Sequence, residues 1–246
     1  MKTSWESSHK WYNALVGEKG HYYHDHVVLP NALRLLDLKP RDSLLDLGCG
    51  QGILERSIPK QTNYVGVDAS SSLVKAARKT SNRPFYVADI TQPLEIKETG
   101  FSHAALILVT QNLEFPLGAF QNSAHFLKPG GKLLIVLNHP CFRIPRQSSW
   151  GVDEQKRLQY RRMDRYMDPL KIPIQTHPGS QKDSPLTYSF HHPLSFFING
   201  LKESGFVIET LEEWISDKKS EGGRSGMENR ARKEFPLFMA ILAKKI

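Results

Sequence analysis

Leu44 to Gly52, LLDLGCGQG, reads as an apolar strand that ends in an acid and runs into three glycines at alternate positions, Gly48, Gly50 and Gly52. Glycines so spaced let a tight turn bring its backbone close to a ligand, because no Cβ holds the ligand off. Asp46 narrows the choice of ligand. In a dinucleotide site the turn and the following helix N-terminus point at a pyrophosphate, which a carboxylate just ahead of the turn would repel. The spacing also departs from the dinucleotide pattern of glycines at the first, third and sixth positions, since Ile53 stands sixth. A nucleoside that bears an amino acid, with an ammonium group to face Asp46, satisfies both observations.

Two further segments repeat the motif of a strand with a terminal acid. Asn63 to Asp68, NYVGVD, puts Asp68 about twenty residues beyond the first glycine, where such folds place the carboxylate that takes two ribose hydroxyls. Phe85 to Asp89, FYVAD, is the third. In this order and spacing the segments resemble the class I S-adenosylmethionine (SAM) dependent methyltransferases. The resemblance widens with GHYYHDHVVLPNALRLL near the N-terminus, NHPCF at residues 138–142 and HHPLSFFINGLKESGF at residues 191–206, which together are similar to a bacterial group with the type-11 methyltransferase domain. It covers the chain from about Trp11 to Trp214. Members of that group act mostly on small molecules.

The resemblance implies a Rossmann-like α/β fold: a seven-stranded sheet with the last strand antiparallel and helices on both faces. It implies SAM as cofactor, S-adenosylhomocysteine (SAH) as product and no metal. Asp46, Gly48, Cys49, Gly50 and Gly52 would form the glycine turn against the cofactor, with Cys49 a compact residue beside it, and Asp68 and Ala69 would follow the second strand. Asp89 would accept from the adenine amino group and the Ile90 N–H would serve a ring nitrogen. Gln111 and Asn112, in the exit of the fourth strand, would line the cofactor beside the transferable methyl.

Composition agrees with an enzyme built on one main domain. The chain has 246 residues, of which 39% are hydrophobic, enough to bury a sizeable core. No apolar run approaches the ~20 residues that span a bilayer, and MKTSWESSHKWY lacks the apolar core of a signal peptide. Two cysteines provide neither a disulfide framework nor a metal cluster, so the expected location is the cytoplasm. The formal net charge is +8. Its basic clusters, around Lys156 to Arg165 and Lys218 to Lys233, are interleaved with acids and lie outside the cofactor motifs, which reads as a solvated mixed-charge surface. The expected partner is a small-molecule acceptor. Nucleic acid is the weaker alternative, no membrane is involved, and the oligomeric state is not encoded legibly.

Four segments follow from the pattern: an N-terminal lid (1–29), the SAM-binding core (30–138), a substrate-covering insertion (139–190) and the C-terminal part of the core (191–246). Helices are expected over Pro30–Leu38, Ser70–Lys79, Pro116–Leu127 and His192–Ser204, with strands over Ala104–Val109, Lys132–Leu137, Phe206–Leu211 and Phe235–Lys244. The insertion is expected to hold short helices near Asp153–Tyr166, and the polar, glycine-rich Lys218–Arg230 to form a mobile hairpin loop.

Methyl transfer from a sulfonium needs alignment above all, and a base only where the acceptor must lose a proton. His139, directly after the fifth strand, is the leading candidate base, ahead of His24, His26, His191 and His192. Trp11, Tyr22, Tyr23 and His24 form an aromatic and histidine-rich segment suited to a lid that excludes water. Pro140-Cys141 is the kind of pair with which pyrimidine C5 methyltransferases attack a base, but their other motifs are missing, so Cys141 reads as a small buried residue. The alternatives to a small-molecule methyltransferase are an RNA methyltransferase and a non-catalytic SAM-binding protein. Thr110-Gln111-Asn112-Leu113 stands where the motif for exocyclic adenine methylation would fall, which argues against that RNA chemistry.

Overall fold

The computed structural model describes residues 6, 21–175 and 186–246. Trp11 and the rest of the segment before His21, apart from Glu6, therefore lie outside the described residues. A π-helical turn, His24–Val28, runs straight into helix α1, Leu29–Leu36. Then come β1 (Ser43–Leu47), α2 (Ile53–Ser57), β2 (Asn63–Asp68), α3 (Ser71–Thr80), β3 (Phe85–Val87) and β4 (Phe101–Ile107). After a short 3₁₀ turn at Thr110–Asn112 the chain forms α4 (Leu117–Phe126) and the long β5 (Leu127–Asn138).

Seven strands make one sheet in the order β10-β11-β5-β4-β1-β2-β3, where β10 is Phe206–Trp214 and β11 is Phe238–Lys245. All neighbours pair in parallel except β11, which is antiparallel to both β5 and β10. The period of two along a strand divides the core between the two faces. Leu134 and Val136 of β5 join Leu44, Ala105 and the helix at Val27–Leu36 on one face, while Leu133, Ile135 and Leu137 join Leu45, Leu47 and Phe120 on the other. The chain leaves β1 toward β2 and β3, then returns to β4 on β1's other side and continues to β5. Open α/β sheets bind ligands at such a reversal, outside the carboxyl ends of the strands.

Two expectations are corrected by the structure. The stretch near Asp153–Tyr166 is a β-hairpin, β6 (Ser148–Asp153) paired with β7 (Leu158–Met163), and holds no short helices. Cross-strand pairs explain it: Arg161 sits opposite Trp150 with its guanidinium 4.9 Å from the ring centroid, and the Tyr160 ring covers Gly151, where a Cβ would collide with it. The second correction concerns Lys218–Arg230. Its C-terminal part belongs to a helix, α6 (Ser225–Glu234), which packs against β7 and buries Ala231. Arg230 pairs with Glu234 one turn on, at 2.7 Å, and Asn229 binds both the N–H and the carbonyl of Ser220, so the segment is held rather than loose. A second hairpin, β8 (Leu170–Gln175) and β9 (Leu186–His191), precedes α5 (Leu194–Glu203), and its connecting residues 176–185 are outside the described ones. Among the described residues no helix is long and apolar enough to cross a membrane.

Candidate active site

A cavity of about 1000 Å³ opens where the sheet order reverses. Its inner end is built by strand exits. Gly48 and Gly50 of the turn after β1, Asp68 and Ala69 after β2, and Asp89 and Ile90 after β3 all reach it. The glycines have positive φ of 82°, 54° and 81° at positions 48, 50 and 52, the left-handed backbone that side chains resist. They are not alike in what they face. A Cβ on Gly48 would run into the Val109 side chain, and one on Gly52 would touch Ala77 and Phe85 at 3.5 Å. Gly52 serves as the N-cap of α2 and does not reach the cavity. Cys49 is buried beneath the turn, and burial, then the nearby Asp46, push its thiol well above the ordinary value.

Asp68 is fixed by two backbone donors, with Gly50 N–H on Oδ2 at 2.9 Å and Ser70 N–H on Oδ1 at 2.8 Å. A carboxylate has about four lone-pair directions, so each oxygen keeps capacity for one more donor. Burial raises its pKa, and those two backbone bonds oppose the rise. Asp89 takes both the N–H and the hydroxyl of Thr91 on Oδ1, at 2.9 and 2.7 Å, which leaves Oδ2 for a ligand. Asn122 anchors the neighbouring loop by donating to the Ile90 and Gln92 carbonyls, both at 2.8 Å.

At the carboxyl end of β4, Leu108 adopts φ 56°, a strained conformation for a residue with a side chain. Its carbonyl accepts from the side-chain amides of Gln111 at 2.9 Å and Asn112 at 3.2 Å. That leaves the Gln111 Oε1 buried without a partner, beside an equally unpartnered Thr110 Oγ1. Unpaired buried acceptors are uncommon, and this one lies in a residue that lines the cavity.

Asp46 is not on the cavity wall. It lies behind the glycine turn, buried, accepting from the Tyr64 hydroxyl at 2.8 Å. Burial lifts its carboxyl to about 7, opposed by the Tyr64 bond and assisted by Asp68. The expected direct contact between Asp46 and an ammonium is therefore replaced by a buried hydrogen-bonded acid.

His139 is also set apart from the cavity, with 2% of its surface exposed. Its Nδ1 accepts the Cys141 N–H at 3.1 Å, so Nε2 carries the proton and donates to Glu213 at 2.6 Å. Both nitrogens are occupied, and burial holds the ring below the ordinary histidine value. This geometry ties the end of β5 to β10 and leaves no nitrogen for an acceptor. Cys141 likewise does not reach the cavity. Among the described residues no group of His, Cys, Asp and Glu could hold a metal ion.

The lid residues divide. Tyr23 and His24 reach the cavity, whereas Tyr22 points to solvent, stacks on His26 at 4.2 Å and donates to Asp217. Tyr23 is anchored by a 3.0 Å bond with Ser216 and an edge contact with Phe238. Burial, then His21, lower the His24 imidazole to about 4, so it is uncharged at neutral pH.

The outer end of the cavity includes Arg143, Lys171, Tyr188 and Phe190, from the segment expected to cover the substrate, together with Asn138 and Phe238, none of which the sequence singled out individually. A signal existed in NHPCFR. The period of β5 puts Asn138 on the face of Leu134 and Val136, shared with Tyr23 and Phe238, and His139 on the opposite one.

The sheet order and the acids at successive strand exits define the architecture of class I SAM-dependent methyltransferases. A SAM-dependent methyltransferase from Mesorhizobium loti has this fold, with a TM-score of 0.68 at 23% identity over 90% of this chain and 99% of that one. A family described as a methyltransferase domain matches residues 20–174, and the chain belongs to it. Its relatives include an uncharacterized 37.1 kDa protein in transposon TN4556 of Streptomyces fradiae, 32% identical over 46% of this chain and 37% of that protein. A malonyl-[acyl-carrier protein] O-methyltransferase of Halalkalibacterium halodurans is 28% identical over 52% of this chain and 56% of its own length. The chain thus matches less than two thirds of either relative.

Proposed function

We propose that the protein moves a methyl group from SAM to a small-molecule acceptor held in the same cavity. The observation that carries this reading is the continuity of the cavity. It runs from two strand-end carboxylates with spare acceptor capacity to an aromatic compartment roofed by the β8–β9 hairpin. The residues suit the cofactor. Asp68 would take the ribose hydroxyls, Asp89 Oδ2 and the Ile90 N–H the adenine edge, and Gln111 and Asn112 would line the cofactor beside the transferable methyl. When bound, SAM supplies an activated methyl on a sulfonium whose leaving group is neutral.

The chain's own work is alignment and exclusion of water. Tyr23 and the β8–β9 strands wall the acceptor compartment, while Gln111 and Asn112 fix the floor at the strained end of β4. His24 stands on the cavity wall uncharged at neutral pH, and with its pKa lowered to about 4 it is a weak base, so alignment carries the transfer. Within the basic clusters several cations are already paired, Lys156 with Asp153, Arg162 with Asp164 and Arg224 with Glu154, which favours a small acceptor over RNA.

Incubation of the chain with SAM and a fractionated cell extract tests the proposal. A low-molecular-weight product heavier by one methylene, formed together with SAH, is expected. Methylation confined to the RNA fraction would contradict the small-molecule acceptor, and cofactor binding with no methylated product in any fraction would contradict catalysis.

A further inference from the structure

Arg143 stands in the turn after β5 with its guanidinium on the cavity wall. One nitrogen, Nη1, donates to Asn138 Oδ1 at 2.9 Å, and the guanidinium carbon lies 5.2 Å from the centroid of the Phe238 ring. No carboxylate comes within ion-pair distance of it among the described residues. The other strong cation on the wall behaves differently. Lys171 is neutralised by Glu114 at 3.0 Å, with its ammonium 5.0 Å from the Tyr188 ring and 5.6 Å from Phe190. At the acceptor end, then, one guanidinium is oriented by a neutral amide, backed by an aromatic face and left without a counter-charge.

A buried cation is stable only when paired or hydrogen-bonded, and an arginine presents its donors as a planar fork that matches a carboxylate in two places. Asn138 uses one of these donors and so sets the direction of the rest. Phe238 and Tyr23 lie next to the guanidinium, and Ile174 and Phe190 add apolar surface to the same cavity. We infer that the acceptor is an organic acid, its carboxylate paired with Arg143 and its apolar body against these rings. Asn138 is the positioning residue. The inference rests on the methyl-transfer reading and names the substrate class for that site. Burial also depresses the arginine's pKa, partly offset by Tyr23, with repulsion from Arg161 adding to the depression, and an arriving anion would act against it.

A panel of aromatic and aliphatic carboxylic acids, each with its primary amide, can be screened against the full chain loaded with SAH by ligand-observed NMR. Several acids should bind at least tenfold tighter than their amides. In Arg143→Met that preference should vanish while SAH affinity stays within twofold. Asn138→Ala, which keeps the charge but frees the guanidinium, should narrow the preference without abolishing it, and it covers the case of an Arg143 variant that fails to fold. No preference for acids in the wild-type chain, or a preference that survives in Arg143→Met, would overturn the inference while leaving the methyl-transfer reading intact. Failure of the wild-type chain to bind SAH would overturn that reading and the inference with it.

Discussion

The inner and outer ends of the cavity are built by opposite means. At the inner end every contact comes from a strand exit, with carboxylates pinned by backbone N–H groups: Asp68 by Gly50 and Ser70, Asp89 by Thr91. At the outer end the wall is made of side chains held by one another: ring contacts, the Asn138 amide on Arg143, the Lys171–Glu114 ion pair and the Tyr23–Ser216 hydrogen bond. Strand exits are placed by the sheet and move little, so they suit a ligand that never changes. Side chains on hairpins and turns are exchanged without disturbing the sheet, so they suit a ligand that differs between relatives.

Asp46 sharpens the comparison from the inner side, as an acid that supports the glycine turn without reaching the ligand. Its carboxyl sits at about 7, above the unfolded value near 4. The protonated form is therefore favoured by folding, and this contribution is complete below pH 4 and lost as the pH rises through 7. Asp46→Asn stays neutral and can still accept from Tyr64. It should match the wild type at pH 4 and exceed it by on the order of 3–4 kcal/mol at pH 8 in denaturant unfolding. A constant difference across that range would mean that Asp46 is ionised in the folded protein.

His139 should show the smallest functional effect. His139→Ala removes a buried connection to Glu213 and should cost about 1–3 kcal/mol of stability. Turnover and SAM affinity per folded molecule should not change. A large drop in turnover would make His139 the base and contradict the occupancy of both its nitrogens.

The inner end was legible in the sequence because its information is local. LLDLGCGQG, NYVGVD and FYVAD each place an acid at the end of an apolar run, and the sheet aligns those ends without help from distant residues. What remained hidden depends on long-range contacts. SEGGRSGMENRARKEF has the polar, glycine-rich composition of a loop, yet its last part is a helix that packs on β7, buries Ala231 and pairs Arg230 with Glu234. The β6–β7 hairpin depends on Trp150 finding Arg161 and Gly151 finding Tyr160. In NHPCFR the residues with obvious chemistry, His139 and Cys141, drew the reading, whereas Asn138 and Arg143 reach the cavity because of strand parity and the turn that follows.

The central claim is that Asp68 and its neighbours at the strand exits hold the nucleoside, and calorimetric titration of SAM into the wild-type chain and into Asp68→Ala tests it most directly. The wild type should bind at a single site, and the variant, still folded, should lose about 1.5–3 kcal/mol of binding free energy, the range for hydrogen bonds to a charged group. Equal affinity in the two proteins would place the ribose elsewhere and contradict the account.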